Sequence, residues 1–426
     1  MLDGHVHPDF YPVAQALEQQ IKKTGGGAAA CAYHDGKCIL DIWGGVRDED
    51  GTPWQRDTMS VSYSTTKGVV STALHILADR GLLDYDDKVA KHWPEFAQAG
   101  KQDVTIRDVL CHRAGLYNIR EMLEHANELR DWDAMTRALA AATPAPLADD
   151  HSAYHALTFG HIVGEIVQRV SGRALRDVIR EDIATPLGLD GLYIGAPDHE
   201  LERAARLVGR PPTRTNGAPV SSAAARKKRQ RELMARGVQS ALRLGGFPAD
   251  FKRTARALAP KGISEFDFSA NETLQASIPS ANGLFTARSL ARMYAALANG
   301  GELDGVRLLS QETMARATEV QVHGPDEVII FPMRWRLGYH RVSTYRGRLR
   351  KAFGHFGYGG SGAWADPRRK MSFAMVLNAG TGTPLGDLRM LKLNTALIVA
   401  AKQRWKKQGS PRDDASSAWA DAAGRG

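Results

Sequence analysis

Ser64-Thr65-Thr66-Lys67 lies inside the run from Ser60 to Val70. A serine followed three residues later by a lysine can perform acyl transfer if both stand at the start of one helix. Residues at that spacing share a helix face, so the Lys67 amine would reach the Ser64 hydroxyl. A helix N-terminus also offers backbone N–H groups and a positive dipole end, which stabilise a developing oxyanion. A plainer reading competes: serine is a favoured N-cap, although a capping box would want Glu or Gln where Lys67 stands. Composition alone yields S-x-x-K about once or twice in a chain of this length, so other groups must decide. Tyr154, within His151–Gly160, precedes a helix start and could aim its phenol into a cleft. Beside a cation such as Lys67 its pKa is expected to fall, which would make it a base. The run Gly354-His355-Phe356-Gly357-Tyr358-Gly359-Gly360 lets backbone approach a ligand closely. As a strand edge it would present main-chain N–H groups. The bland alternatives are a tyrosine half buried at a helix end and a glycine-rich turn.

These residues need elements to hold them. Val69, Val70, Ala73, Leu74 and Leu77 recur at helical spacing after Ser64, and Gly81 supplies a stop. Residues 8–24 read as a helix with Phe10, Val13, Leu17 and Ile21 on one face. Asp35-Gly36 predicts a tight hairpin between Ala28–His34 and Lys37–Trp43. An unbroken register there sets Cys31 opposite Leu40 and Cys38 opposite Tyr33, so Cys31, Cys38 and Cys111 read as reduced packing residues with no metal spacing. Helices are expected from Thr105 to near Gly115, over 120–143, over 155–186 and over about 385–404. Ser361–Ala365 and Lys370–Leu377, joined by Asp366-Pro367-Arg368-Arg369, form a second strand–turn–strand unit. Strands thus cluster at both ends of the chain with helices between, which predicts a mixed α and β fold. It would hold one antiparallel sheet built from both termini, flanked by the terminal helices, with a mainly helical domain inserted. In residue terms, 1–405 forms a single catalytic unit. Its 1–62 and 330–405 segments make the α/β sandwich, its 63–329 segment makes the helical part, and 406–426 is expected to be a disordered tail.

With 426 residues, 43% of them hydrophobic, the chain can bury a large core. Its net charge of +9 is local: Arg203 to Arg256 holds fourteen Lys or Arg against Glu232 and Asp250, and the rest of the chain is slightly acidic. Within that insertion, Arg226-Lys227-Lys228-Arg229-Gln230-Arg231 precedes Leu233, Met234, Val238, Ala241, Leu242 and Leu244. A solvated flap is the ordinary reading. The apolar face would also suit a membrane surface through 226–245 or an anionic substrate. No aromatic residues interleave the basic ones, so no nucleic-acid partner is expected. The N-terminal residues lack the basic and apolar regions of a secretory signal, and no apolar run matches a bilayer, so a cytoplasmic location is the expectation. His5-Val6-His7 resembles a metal-hydrolase H-x-H, but such a site needs a preceding strand and further ligands. No strand is predicted there and no metal or cofactor is expected. Gly359-Gly360-Ser361-Gly362 ends in Ala363, so the nucleophile elbow G-x-S-x-G is missing.

Ser-x-x-Lys, then Tyr, then His-x-Gly, in that order, resembles the serine β-lactamase and penicillin-binding protein superfamily. Within it the chain is most similar to class C β-lactamase-like enzymes and family VIII carboxylesterases. Asp41–Gly45, Lys91–Phe96, Val109–Leu116, Ile278–Gly283 and Gly360–Pro367 carry the same resemblance, which runs from about residue 8 to 400. It implies a β-lactamase/transpeptidase-like fold with Ser64 as the acyl-accepting nucleophile. Lys67 and Tyr154 would be the acid–base pair, and the N–H groups of Ser64 and Tyr358 the oxyanion hole. His355, Phe356 and Gly357 would line the substrate cleft. Which of Lys67 and Tyr154 takes the first proton stays open, because such a pair titrates together.

Two departures bear on the substrate. Ala156 stands where class C enzymes resemble Tyr-x-Asn, and His355-Phe356-Gly357 stands where they resemble Lys-Thr-Gly. The amide that grips a lactam side chain and the cation that meets a lactam carboxylate are both gone. The expectation is therefore a serine hydrolase of small carboxylic esters. β-Lactamase or D-amino-acid peptidase/amidase activity is the alternative, and a non-catalytic binding protein of the same fold is the rival from another class.

Overall fold

A computed structural model of the chain describes residues 1–209, 239–240, 242–379 and 388–407. Its centre is a seven-stranded sheet. The strands are numbered here in chain order: β1 Leu2–Val6, β2 Gly27–His34, β3 Lys37–Gly45, β4 His340–Thr344, β5 Gly347–Phe356, β6 Gly362–Asp366 and β7 Met371–Leu377. Their spatial order is β1-β3-β2-β7-β6-β5-β4, and every pairing is antiparallel. The two halves of the sequence meet at β2 and β7, in register from Met371 opposite His34 to Leu377 opposite Ala28. The sheet built from both termini is as expected.

β2 is buried along nearly its whole length. Side chains alternate across a strand, so Ala28, Ala30 and Ala32 enter one core and Ala29, Cys31 and Tyr33 the other. The first core is closed by α1 (Tyr11–Thr24) and the C-terminal helix Leu388–Lys407, through Val13, Leu17, Leu393 and Leu397. The second is larger and contains the helical part of the molecule. A strand covered on both faces reads as an unbroken apolar run, and Gly27–Tyr33 does.

Within the helical part, Thr65–Asp79 forms α2 and Thr158–Ser171 forms α3; Ala287–Ala298, here α4, packs across the sheet. Thr65 to Leu77 are all buried, so α2 is enclosed on every side rather than along one stripe. Several of its polar residues find internal partners. Ser71 Oγ donates to Lys67 O at 2.8 Å, and Thr72 Oγ1 lies 2.8 Å from the Tyr339 hydroxyl. His75 Nε2 faces the Leu337 carbonyl at 3.0 Å and must donate there, so Nδ1 accepts from the Tyr85 hydroxyl at 2.9 Å. Burial pushes the His75 pKa down to about 4.

Several expectations need correction. The hairpin register slips at a bulge, where Tyr33 opposes Cys38 but Ala32 opposes Leu40. Ile39 is the extra residue. Cys31 therefore opposes Asp41, and the Cys31 and Cys38 Sγ atoms approach to 3.9 Å. The stretch 120–143 is three short helices, Ile119–Met122, Ala126–Arg130 and Trp132–Ala141. Asp131 interrupts it by capping the last of them, its side chain accepting from Ala134 N at 2.9 Å. The helix expected to run to near Gly115 ends at Leu110, and 155–186 divides after Ser171 at Gly172, which is left-handed. A strand, β1, does contain His5, contrary to expectation; among the described residues no cluster of His, Cys, Asp and Glu is arranged to hold a metal ion. Lys406 and Lys407 belong to the C-terminal helix rather than to a tail, and Lys407 pairs with Asp9 at 3.0 Å. Residues 408–426, the basic run Arg226–Arg231 and Leu233, Met234, Val238 and Ala241 lie outside the described residues. Among the described residues, no helix is long and apolar enough to cross a membrane.

One buried cation holds the helical part together. Lys101 is fully buried, and its Nζ donates to Gln98 O at 2.7 Å, Ala140 O at 2.9 Å and Ala142 O at 2.5 Å. Two of those carbonyls close the C-terminal end of Trp132–Ala141, where positive charge is favourable. Lys101→Met is expected to destabilise the protein by about 2–3 kcal/mol, because it leaves buried acceptors without donors. Urea denaturation checks this. An unchanged midpoint would mean that those carbonyls find other donors.

Candidate active site

Ser64 occupies the N-cap position of α2 and makes no side-chain capping hydrogen bond. Its hydroxyl is therefore not used in the way the plain reading requires. The preceding residue, Tyr63, sits at φ 43°, a left-handed conformation that costs a non-glycine residue energy and recurs at functional sites. Neighbours hold the turn. Thr66 Oγ1 donates to Tyr63 O at 2.5 Å and accepts from Gly283 N at 2.9 Å, while Ser62 N donates to Gly283 O at 2.9 Å.

Lys67, one turn into α2, is fully buried. Its Nζ lies 2.9 Å from Ser64 Oγ, 2.7 Å from Ala156 O and 2.9 Å from Ser280 O. No carboxylate is among these partners, and burial drives the Lys67 pKa well below its ordinary value. A neutral amine has two N–H donors and one lone pair. The two carbonyls take the donors, which leaves the lone pair for the Ser64 hydroxyl. The Ser280 carbonyl reaches this point because Gly160 on α3 has no side chain; a Cβ there would come within 2.2 Å of the Pro279 carbonyl carbon.

Tyr154 completes the group. Its side chain lies beside Ser64, and Lys67 Nζ stands 5.0 Å from the ring centroid. The tyrosine is buried, and burial pushes its pKa up, helped by the Asp326 charge. This reverses the expectation of a lowered phenol pKa. Desolvation of the phenolate is the largest effect and outweighs the neighbouring Ser64 side chain, which acts the other way. Three buried histidines, His112, His155 and His355, lie around the pair, with His340 against His355 at 4.8 Å, and burial lowers each of the four: His155 to about 3, His340 to about 4, and His112 and His355 well below the ordinary value.

Across the cleft, β5 ends at Phe356 and a turn follows in which Gly357 N donates to Ser361 O at 2.8 Å. Gly357 lies against the entry to α2: a Cβ there would fall 2.2 Å from Ser62 O. Tyr358 is half exposed, and its ring meets that of Tyr63 edge-on at 5.7 Å. Among the described residues no acceptor engages the N–H of Ser64 or of Tyr358. His355 faces the site, with its ring 6.2 Å from that of Tyr154. Its Nδ1 lies 3.2 Å from the Phe356 carbonyl, while its buried Nε2 finds no partner among the described residues. Phe356 requires a correction. Strand alternation turns its side chain to the other face, where it packs on the terminal-helix core and against Gly362, so only its backbone borders the cleft.

Two residues that sequence reasoning passed over stand directly behind Tyr154. The Trp335 ring stacks on the Tyr154 ring at 5.6 Å and an interplanar angle of 6°, and Asp326 accepts from Tyr154 N at 3.2 Å. Neither carries a local motif. They come from a segment about 170 residues further along the chain, and only the fold brings them here.

Comparison with known proteins shows the family. The family model described as Beta-lactamase matches residues 13–397. The esterase/beta-lactamase LipL of Mycobacterium tuberculosis is 38% identical over 380 residues, which is 88% of this chain and 82% of that protein. A penicillin-binding protein homologue from Caulobacter crescentus superposes with a TM-score of 0.78 at 35% identity, over 94% of this chain and 100% of that one. The crystal structure of a family VIII carboxylesterase also gives 0.78, at 33% identity over 95% and 99% of the two chains.

Proposed function

This chain belongs to the Beta-lactamase family, and on that premise we propose that it is a serine hydrolase cleaving small carboxylic esters through an acyl-enzyme on Ser64. The observation that carries the reading is a set of three: a Ser64 hydroxyl that makes no capping bond, beside a buried Lys67 amine with no carboxylate partner among the described residues and a buried Tyr154 phenol.

Each group then has one task. Lys67 takes the Ser64 proton as Oγ adds to the ester carbonyl. The oxyanion lies between the N–H groups of Ser64 and Tyr358, where donors aimed at developing charge lower the barrier. As the C–O bond breaks, the Tyr154 phenol gives its proton to the departing alkoxide, and the Lys67 ammonium restores it. Water then adds to the acyl carbon with its proton passing to Lys67, which returns it to Ser64 Oγ as the acyl C–O bond breaks. The pKa directions support this division: a lowered amine is a base at neutral pH and a raised phenol is an acid.

His355 supports an ester over a lactam. A lactam carboxylate would need a cation, and this imidazole is held neutral by burial. Losing a charge-assisted bond of about 1.5–3 kcal/mol costs roughly ten- to a hundredfold in discrimination. Esters lacking that carboxylate lose nothing. Purified protein is expected to turn over p-nitrophenyl acetate, butyrate and octanoate, with kcat/KM for the best of them at least about tenfold above that for a chromogenic cephalosporin. Cephalosporin turnover equal to the esters would refute the ester assignment.

A further inference from the structure

We infer that Asp326 is a positioning residue for the reaction, acting on the leaving group through Tyr154; the inference rests on the reading of Tyr154 as the proton donor. Asp326 is completely buried at the meeting point of three segments. Its Oδ1 accepts from Tyr154 N at 3.2 Å, Val328 N at 2.9 Å and Ile329 N at 2.8 Å. Its Oδ2 accepts from Ser152 Oγ at 2.7 Å and from Trp335 Nε1 at 3.1 Å. Trp335 Nε1 also lies 2.9 Å from Ser152 Oγ, which closes a triangle.

The Val328 and Ile329 bonds only shape the loop that carries Asp326. The other three reach outward, and each bears on Tyr154. One holds its backbone. One holds Ser152, two residues before it. The third fixes the edge of Trp335, whose face lies parallel to the phenol ring. Tyr154 is thus tied at its backbone and along its ring plane by a single carboxylate, with the His112 ring edge-on to it at 4.9 Å. A side chain locked in this way keeps its phenol beside Ser64 without reordering during the reaction, the condition for efficient proton transfer.

The neighbouring residue anchors the carboxylate in turn. Glu327 N donates to Ser152 O at 2.7 Å, and the Glu327 side chain receives Arg253 and, at 3.0 Å, His151. Arg253 lies on the helix Phe251–Leu258, at the C-terminal end of the basic insertion.

The leaving group distinguishes positioning from general support of the fold. p-Nitrophenolate departs without a proton, whereas methoxide needs one. In Asp326→Asn, kcat/KM for methyl butyrate is expected to fall about thirty- to a hundredfold, while that for p-nitrophenyl butyrate falls less than about fivefold. In a Tyr154→Phe background the same substitution should change methyl butyrate hydrolysis by less than about twofold, because the group it acts through is gone. Equal losses on both esters, or an undiminished loss in the Tyr154→Phe background, would overturn the inference. If Asp326→Asn does not fold, Trp335→Phe removes the indole donor but keeps a ring; it should show the same leaving-group bias, several-fold in size, and an absence of bias overturns the inference. A Tyr154→Phe enzyme with full activity on methyl butyrate overturns the proton-donor reading itself. In that case the inference falls whatever Asp326→Asn does.

Discussion

Ester hydrolysis is expected to fall by at least about 10⁴-fold in Ser64→Ala, because without the nucleophile only binding and the oxyanion donors remain. The variant keeps the backbone N–H at position 64 and the buried Lys67, so ester should still bind with little change in KM. A second readout makes the test stricter. Replacing a serine that caps a helix costs about 1 kcal/mol, but Ser64 makes no capping bond. Ser64→Ala should therefore leave the denaturation midpoint nearly unchanged. Activity lost at constant stability is the signature of a nucleophile. Stability lost at constant activity would return Ser64 to the role of an ordinary cap.

Lys67→Met should lower kcat/KM by about 10³- to 10⁴-fold, the upper range for removing a positioned base. Methionine matches the length of the lysine stem and fits the enclosed face of α2, so the change removes the amine with little change in volume. The pH profile gives the sign. Lys67 must be neutral to act. Burial lowers its pKa well below that of a free amine, so activity is present above that lowered value and is lost as the pH falls through it. Tyr154 must keep its proton, and burial raises its pKa, so the phenol remains an acid throughout the neutral range. Lys67→Met should flatten the acid limb of kcat/KM as well as lower the plateau. An unchanged acid limb would assign that titration to another group and make Tyr154 the first proton acceptor.

The proposed chemistry is legible in the chain because it sits in short runs. A serine and a lysine one turn apart, a tyrosine before a helix and a glycine-rich strand end are local patterns, and the helix period or strand edge supplies their geometry. The same holds for the sheet: apolar runs at both ends, with Asp35-Gly36 and Asp366-Pro367 between them, specify two hairpins that can satisfy their edges only by pairing. Helix breaks inside 120–143 and the bulge at Ile39 were missed, since each depends on one side chain or one extra residue that periodicity averages away.

What the linear order determined by itself is which groups could react: Ser64, Lys67, Tyr154 and a histidine in place of a fixed cation. Tertiary structure alone decided their states. Lys67 lies among carbonyls with no carboxylate and Tyr154 lies in a buried cage of rings, so the amine pKa falls and the phenol pKa rises. Asp326 and Trp335 reach Tyr154 only through packing, and Phe356 leaves the cleft because strand alternation points it the other way. A pKa depends on how much water and charge surround a group, and those surroundings come from segments far apart in the chain.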